Sequence, residues 1–205
     1  MAGDGSFEDG TVLDLAPGRV VLLVGPSGAG KDAVLREVRC RLADRKQFAF
    51  VRRLVTREPG GAEDHDCVSA SEFTTRLRQG HFALSWQAHG LQYAIPAEID
   101  EAVRRGECVV FNASRTIVAR ARARYRNVAV VLIDAPPELR ANRLAQRRRE
   151  QGAELALRLA RASDFKPNDA DLIIENTGAL TAAAEALVDW LEAGEADPPA
   201  SSSHD

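Results

Sequence analysis

The sequence predicts an α/β fold, a parallel β-sheet covered by helices on both faces. Three observations lead there. Short apolar runs alternate along the chain with longer amphipathic segments. The runs are continuous rather than alternating in and out, as in strands buried on both faces. Strands that alternate with helices assemble as right-handed βαβ units. At 205 residues the chain fits one domain, with a core large enough to need neither disulfides nor a structural metal.

Residues 1–18 are Gly- and Asp-rich with little periodicity and predict a flexible N-terminal arm. Val20 to Val24 is an unbroken run of valine and leucine, the first buried strand. After a glycine-rich turn, Ala33, Val34, Val38 and Leu42 recur at helical spacing. Phe48 to Val55 predicts a second strand. Residues 58–95 break the rhythm with a turn at Pro59-Gly60-Gly61, a short helix after Ser71, and strand-like pieces at Phe82–Trp86 and Leu91–Ala94. They form an inserted lobe on a core made of residues 19–57 and 96–193. The core resumes with helix Glu98–Arg105, strand Cys108–Phe111, helix Thr116–Tyr125 and strand Val128–Ile133. Helices Pro137–Glu150 and Glu154–Ser163, strand Leu172–Ile174 and helix Leu180–Glu192 complete it. Residues 194–205, with Pro198, Pro199 and Ser201 to Ser203, predict a disordered tail.

A formal net charge of −3 argues against nucleic acid as a partner. Cys40, Cys67 and Cys108 are far apart and show no CxxC spacing, so reduced thiols are expected rather than zinc ligands or disulfides. The N-terminus carries Asp4, Glu8 and Asp9, unlike a signal peptide, and no apolar run reaches the ~20 residues of a membrane helix. A cytoplasmic protein without a membrane partner is the expectation. Of 27 basic side chains, all but Lys31, Lys46 and Lys166 are arginines.

One of those lysines stands in Gly25-Pro26-Ser27-Gly28-Ala29-Gly30-Lys31-Asp32, directly after the first strand and opening the first helix. This GxxxxGK run, in its strand–loop–helix setting, predicts a P-loop that cradles phosphate with backbone N–H groups and the positive helix end. Lys31 can reach the β- and γ-phosphates of a nucleotide. The next position, ordinarily a Ser or Thr that holds Mg²⁺, is Asp32. Its carboxylate either binds Mg²⁺, directly or through water, or merely complements the helix N-terminus.

With the loop placed, residues Gly18 to Leu191 resemble the guanylate kinase-like branch of the nucleoside monophosphate kinases, which implies a P-loop NTPase fold. Val55-Thr56-Arg57 looks like that branch's acceptor-phosphate motif. Pro136-Pro137, Leu139, Arg143-Leu144, Arg147 and Arg149 look like its lid, about residues 138–163. Glu175-Asn176 resembles its adenine-side loop. The guanine clamp departs from the pattern. Glu63 remains, but Asp64 to Ser69 lacks the family's tyrosine and phenylalanine, Tyr93-Ala94-Ile95 replaces Tyr-Gly-Thr, and the acidic strand end becomes Asn112.

These departures resemble the ribose 1,5-bisphosphate phosphokinases, which make phosphoribosyl diphosphate. The shared features are the P-loop with Asp32, Glu63 with His65, Leu84-Ser85-Trp86, Gly90-Leu91-x-Tyr93, Glu98-Ile99-Asp100, Asn112-x-Ser114-Arg115 and Tyr125. Ala94 stands where that family implies glycine. The resemblance implies ATP and Mg²⁺ as cofactors, a sugar phosphate as substrate and a place in phosphonate metabolism. It assigns Lys31, Arg143 and Arg147 to catalysis, and the loop from Gly25 to Asp32 with Asn176 to ATP. Arg53, Arg57, Glu63, His65, Trp86, Tyr93, Asn112, Ser114 and Arg115 fall to the acceptor.

A phosphate acceptor needs no general base, because its nucleophile is already ionised. The enzyme then needs only to position and neutralise charge, which suits a P-loop with many arginines. Single arginines on helices are nevertheless often solvated, and Arg147-Arg148-Arg149 cannot all face one site. Arg120, Arg122, Arg124 and Arg126 read as a basic helix surface with no catalytic role. Asp134 imitates a metal-binding strand end but precedes Pro136-Pro137 at the lid. His65 and Glu63 either bind ribose hydroxyls or are exposed, and Trp86 and Tyr93 either wall a sugar pocket or belong to the core. A guanylate kinase and a non-catalytic guanylate kinase-like binding module are the alternatives. The lost guanine clamp opposes the first, and the intact P-loop opposes the second.

Overall fold

A computed structural model describes residues 18–57, 65–88, 90–146 and 169–194. The expected arm, the tail, Glu63, Arg147 and most of the expected lid lie outside them. Among the described residues the order is β1 (Arg19–Val24), α1 (Lys31–Arg41), β2 (Phe48–Phe50), β3 (Arg53–Val55), β4 (His65–Cys67), α2 (Ala70–Arg78), β5 (Phe82–Ala88) and β6 (Leu91–Pro96). There follow α3 (Ile99–Arg104), β7 (Cys108–Asn112), a 3-10 turn (Arg115–Ile117), α4 (Val118–Arg124), β8 (Val128–Asp134), α5 (Pro137–Gln146), β9 (Leu172–Glu175) and α6 (Leu180–Ala193).

Five strands form a fully parallel sheet in the order β2-β7-β1-β8-β9. The two faces separate by residue parity along β1. Val21 and Leu23 meet Val34 and Val38 of α1 and Ala184 and Leu187 of α6. Val20, Leu22 and Val24 belong to a second cluster with Ile99 and Val103 of α3 and Val118 and Ala121 of α4. Both faces are therefore covered, which explains why the strand sequence shows no alternation. Residues 20–24 are completely buried.

The stretch Phe48 to Val55 is two short strands in two sheets, a correction to the expected single strand. Val51 N–H still donates to Val110 O at 3.0 Å, and the chain then leaves the parallel sheet. Leu54 and Val55 pair instead with Ala94 and Tyr93 of β6. The second sheet has the order β4-β3-β6-β5 and begins at Arg53, earlier than the predicted start of the insertion. An apolar run reports burial but does not select its hydrogen-bonding partner. Strand β4 has no apolar pattern and was not expected. Helix α2 starts one residue before Ser71, because Ser69 is its N-cap and its Oγ accepts Glu72 N–H at 3.1 Å.

The small sheet turns Val55, Leu84, Trp86, Tyr93 and Ile95 into the same cluster as Leu22 and Phe111, so lobe and core share one apolar interior. The arginines of α4, expected as plain surface, are struts. Arg120 Nη1 donates to Ser85 O at 2.7 Å, Arg122 Nη2 to Asp169 O at 3.1 Å and Arg124 Nη2 to Asp100 Oδ2 at 2.6 Å. No described helix is long and apolar enough to cross a membrane. The three cysteines form no disulfide.

Candidate active site

The parallel sheet ends its central strand at Val24 and hands the chain to the glycine loop, which turns into α1 at Lys31. Gly25 has φ 145°, and a Cβ there would run into the carbonyl of Ile133 on β8. Gly28 has φ 81°, and a Cβ would stand 2.7 Å from Arg140 O and 3.0 Å from its Cα and Cβ. Glycine is thus needed for close approach as well as for conformation: the loop is wedged between a sheet strand and α5. Lys31 Nζ donates to Gly25 O at 2.8 Å and Pro26 O at 3.0 Å, folding back over the loop it must serve.

Two sets of contacts grow from this loop. Toward the lobe, Asp32 Oδ1 accepts Asn112 Nδ2 at 2.6 Å and Arg53 Nη2 at 3.4 Å. The register of β1 with β7 pairs Leu23 with Asn112 and so brings that strand end beside the loop. Arg53 opens β3, and its guanidinium lies 5.7 Å from the centre of the Tyr93 ring. Tyr93 in turn stacks on Trp86, centroids 5.4 Å apart with an interplanar angle of 8°. Asn112 is buried and its Oδ1 has no hydrogen-bond partner; Arg53 Nε is likewise buried without one. Buried polar atoms normally find partners, so this pair stands ready for a ligand that brings a hydrogen-bond donor and an acceptor.

Toward α5, Asn176 follows β9, is 4% exposed and donates from Nδ2 to Ala29 O at 2.8 Å. Arg143 of α5 donates from Nη2 to Asn176 O at 3.0 Å and from Nη1 to Ala29 O at 3.4 Å. Loop, β9 end and α5 are thereby joined. Asp134 ends β8 with its Oδ1 accepting the next residue's N–H at 2.8 Å, a turn into α5.

The sequence-derived residues thus divide. Asp32, Arg53, Tyr93 and Asn112 come together through hydrogen bonds or ring contacts, with Trp86 behind Tyr93, while Lys31 is bonded to the loop itself. The loop residues Gly25, Pro26, Ser27, Gly28, Ala29 and Gly30, with Asn176 and Arg143, form the second group. Arg57 is half-buried just past β3, where Thr56 Oγ1 accepts Gln92 N–H at 2.8 Å and fixes the strand end. His65 is buried on β4, paired in register with Arg53. Ser114 caps the 3-10 turn, its Oγ accepting Thr116 N–H at 3.3 Å, and Arg115 is the first residue of that turn. Trp86 and Tyr93 are both 8% exposed and sit in the core cluster. Trp86 also borders a cavity of about 510 Å³ under α2, lined by Phe73, Leu77, Ser85 and Gln92 and centred away from the P-loop.

Sequence reasoning missed Arg140. It is 5% exposed, lies against Gly28, and neither its Nε nor its Nη1 has a hydrogen-bond partner. Its three-residue spacing from Arg143 puts both on one helix face, a signal that was readable.

No family model matches the chain. The ribose 1,5-bisphosphate phosphokinase PhnN of Methylobacterium radiotolerans is 50% identical over 177 residues, 86% of this chain and 99% of the relative. The protein of the same name from Acidiphilium cryptum is 51% identical over 171 residues, 83% of this chain and 91% of the relative. That from Bradyrhizobium diazoefficiens is 44% identical over 178 residues, 87% of this chain and 90% of the relative. Among solved structures, a guanylate kinase from Anaplasma phagocytophilum matches with a TM-score of 0.63 at 17% identity, covering 86% of this chain and 85% of that one. A likeness at that identity concerns the fold, and it agrees with the P-loop NTPase architecture.

Proposed function

The chain belongs to the ribose 1,5-bisphosphate phosphokinase family, and from that premise we propose that it transfers the γ-phosphoryl group of ATP to the anomeric phosphate of ribose 1,5-bisphosphate. The product is 5-phosphoribosyl 1-diphosphate, made as one step of phosphonate metabolism. The observation that carries the acceptor assignment is the orphaned pair beside Asp32. Arg53 Nε offers a donor to a phosphate, and Asn112 Oδ1 offers an acceptor to a sugar hydroxyl.

An ionised oxygen of the acceptor phosphate forms the new bond to the γ-phosphorus while the bond to the β-phosphate oxygen breaks and ADP departs. The nucleophile carries its charge at neutral pH, so the protein's work is positioning and neutralisation. Lys31 exchanges the carbonyls of Gly25 and Pro26 for the β- and γ-phosphates. Arg143, with Arg147 of the lid, meets the charge on the moving group, and closure of the lid excludes water. Arg53 and Arg57 hold the acceptor phosphates. His65, Ser114 and Arg115, with Glu63 outside the described residues, are the side chains assigned to the sugar, and the Tyr93–Trp86 stack is assigned to its compartment. Asn176 fixes the loop on the adenine side.

Asp32 suits Mg²⁺, a hard cation commonly held by one or two carboxylates together with substrate phosphates. Its carboxylate lies beside the loop that receives those phosphates, and Asn112 fixes its rotation. When bound, Mg²⁺ supplies neutralisation of the β- and γ-phosphates.

The test is ADP release from ATP and Mg²⁺ with ribose 1,5-bisphosphate, GMP or AMP as the acceptor, with the product identified by phosphorus NMR. Turnover with the bisphosphate alone is expected. Turnover with GMP and none with the bisphosphate would overturn the acceptor assignment.

A further inference from the structure

Asp32 and Arg53 belong to different parts of the fold and are bonded to each other. Asp32 stands in the first turn of α1, directly after the P-loop lysine, and Arg53 opens β3 of the small sheet. Arg53 Nη2 donates to Asp32 Oδ1 at 3.4 Å, and the same oxygen accepts Asn112 Nδ2 at 2.6 Å. The two bonds are unequal. The short one anchors the carboxylate to the parallel sheet, while the long one leaves the guanidinium as the looser partner. The Arg53 side chain is 14% exposed and that of Asp32 19%, so solvent screens the ion pair weakly yet neither group is sealed off. In the proposed reaction each has another partner, Mg²⁺ for Asp32 and an acceptor phosphate for Arg53. Without ligands they neutralise one another instead.

We infer that the Asp32–Arg53 ion pair couples the two substrate sites, so that magnesium nucleotide and acceptor tighten each other's binding. A ligand that engages either partner weakens the pair. Whichever binds first does that work, and the second finds its own partner already released. By linkage the gain is the same in either order. Asp32 is thus a positioning residue for the acceptor, acting through Arg53 and holding its guanidinium in reserve until the P-loop is filled. The inference rests on the assignment of Asp32 to Mg²⁺ and of Arg53 to the acceptor phosphate, but not on which acceptor carries that phosphate.

The test is calorimetry of ribose 1,5-bisphosphate binding, with and without Mg²⁺ and β,γ-methylene ATP, which cannot transfer its phosphoryl group. In the wild type the nucleotide is expected to tighten bisphosphate binding at least about fivefold, the lower end of common coupling factors. With no nucleotide present, Asp32→Asn should bind the bisphosphate about fivefold more tightly than the wild type, and nucleotide should add little further. Loss of a merely structural carboxylate would weaken binding. Arg53→Gln should lose most of its bisphosphate affinity, while its affinity for the magnesium nucleotide rises. Bisphosphate affinity that is unchanged or weaker in nucleotide-free Asp32→Asn overturns the inference, as does a coupling factor equal to that of the wild type. Unchanged bisphosphate affinity in Arg53→Gln removes Arg53 from the acceptor site, and the coupling with it. A wild type that binds GMP and not the bisphosphate would sink the acceptor assignment alone, and the same comparison made with GMP then decides the coupling.

Discussion

Asp32 shows how one side chain can serve two parts of a site. It follows the P-loop lysine, yet its Oδ1 takes hydrogen bonds from Asn112 on the core sheet and Arg53 on the lobe. The carboxylate thus links the glycine loop to both sheets. Asp32→Asn keeps the shape and removes the charge. It is expected to raise the Mg²⁺ concentration for half-maximal rate and to lower kcat about 10²-fold, the scale of losing one preorganised electrostatic partner. A Mg²⁺ titration at saturating ATP reads this, and an unchanged midpoint would leave Asp32 as an organiser of Arg53 alone. Asn112→Ala should act through the same group, so the double variant should fall short of the summed single effects. Asp32 itself was conspicuous in the sequence because it breaks the loop pattern. Its partners were not, since 80 residues separate it from Asn112.

At the scale of elements, local chemistry was most legible where it is self-contained. Ser69 caps α2 through Glu72 N–H, and the short helix expected after Ser71 is present with its start at Ala70. Ser69→Ala removes the side-chain acceptor for Glu72 N–H and should cost about 1 kcal/mol of stability. Chemical denaturation would measure it, with the turnover number at 25 °C expected unchanged because the side-chain hydrogen bonds seen for α2 are local to it. The run Phe48 to Val55 shows the opposite case. Its composition suits one strand, and nothing local says that Val51 keeps the parallel sheet while Leu54 joins β6. Strand β4 exists because β3 offers it an edge, a non-local cause that leaves no apolar signature.

Over the whole molecule, a buried lock holds the return from lobe to core. Asp100, on α3 just after the hairpin, accepts Tyr125 Oη at 2.7 Å and Arg124 Nη2 at 2.6 Å from the end of α4. Burial, and then the hydrogen bond to Asp100, push the Tyr125 phenol well above its ordinary value. The neutral phenol is favoured in the folded state. Its contribution is therefore complete below the unfolded value near 10 and is lost as pH rises from there toward the folded value. Stability of the wild type should thus fall more steeply above pH ~10 than that of Tyr125→Phe, which lacks the titrating proton. At neutral pH the variant should be less stable by about 1 kcal/mol, the net worth of a hydrogen bond. Parallel slopes in alkaline urea melts would show that Tyr125 is not the group responsible.

The sequence by itself determined the α/β class, most of the described core strands and helices, and the glycine loop between the first strand and the first helix. Each depends on short-range rules: periodicity, glycine conformation and the chemistry of a contiguous motif. Only the tertiary structure decided that Asp32 meets Asn112 and Arg53, that Arg120 of α4 braces the lobe while Arg122 and Arg124 tie to the core, that Trp86 and Tyr93 stack in the core cluster beside Arg53, and that Arg140 lies buried with its backbone on Gly28. Those outcomes depend on which strand pairs with which and which helix face meets the loop. They are set by the free energy of the packed chain as a whole, and no local window of sequence contains that information.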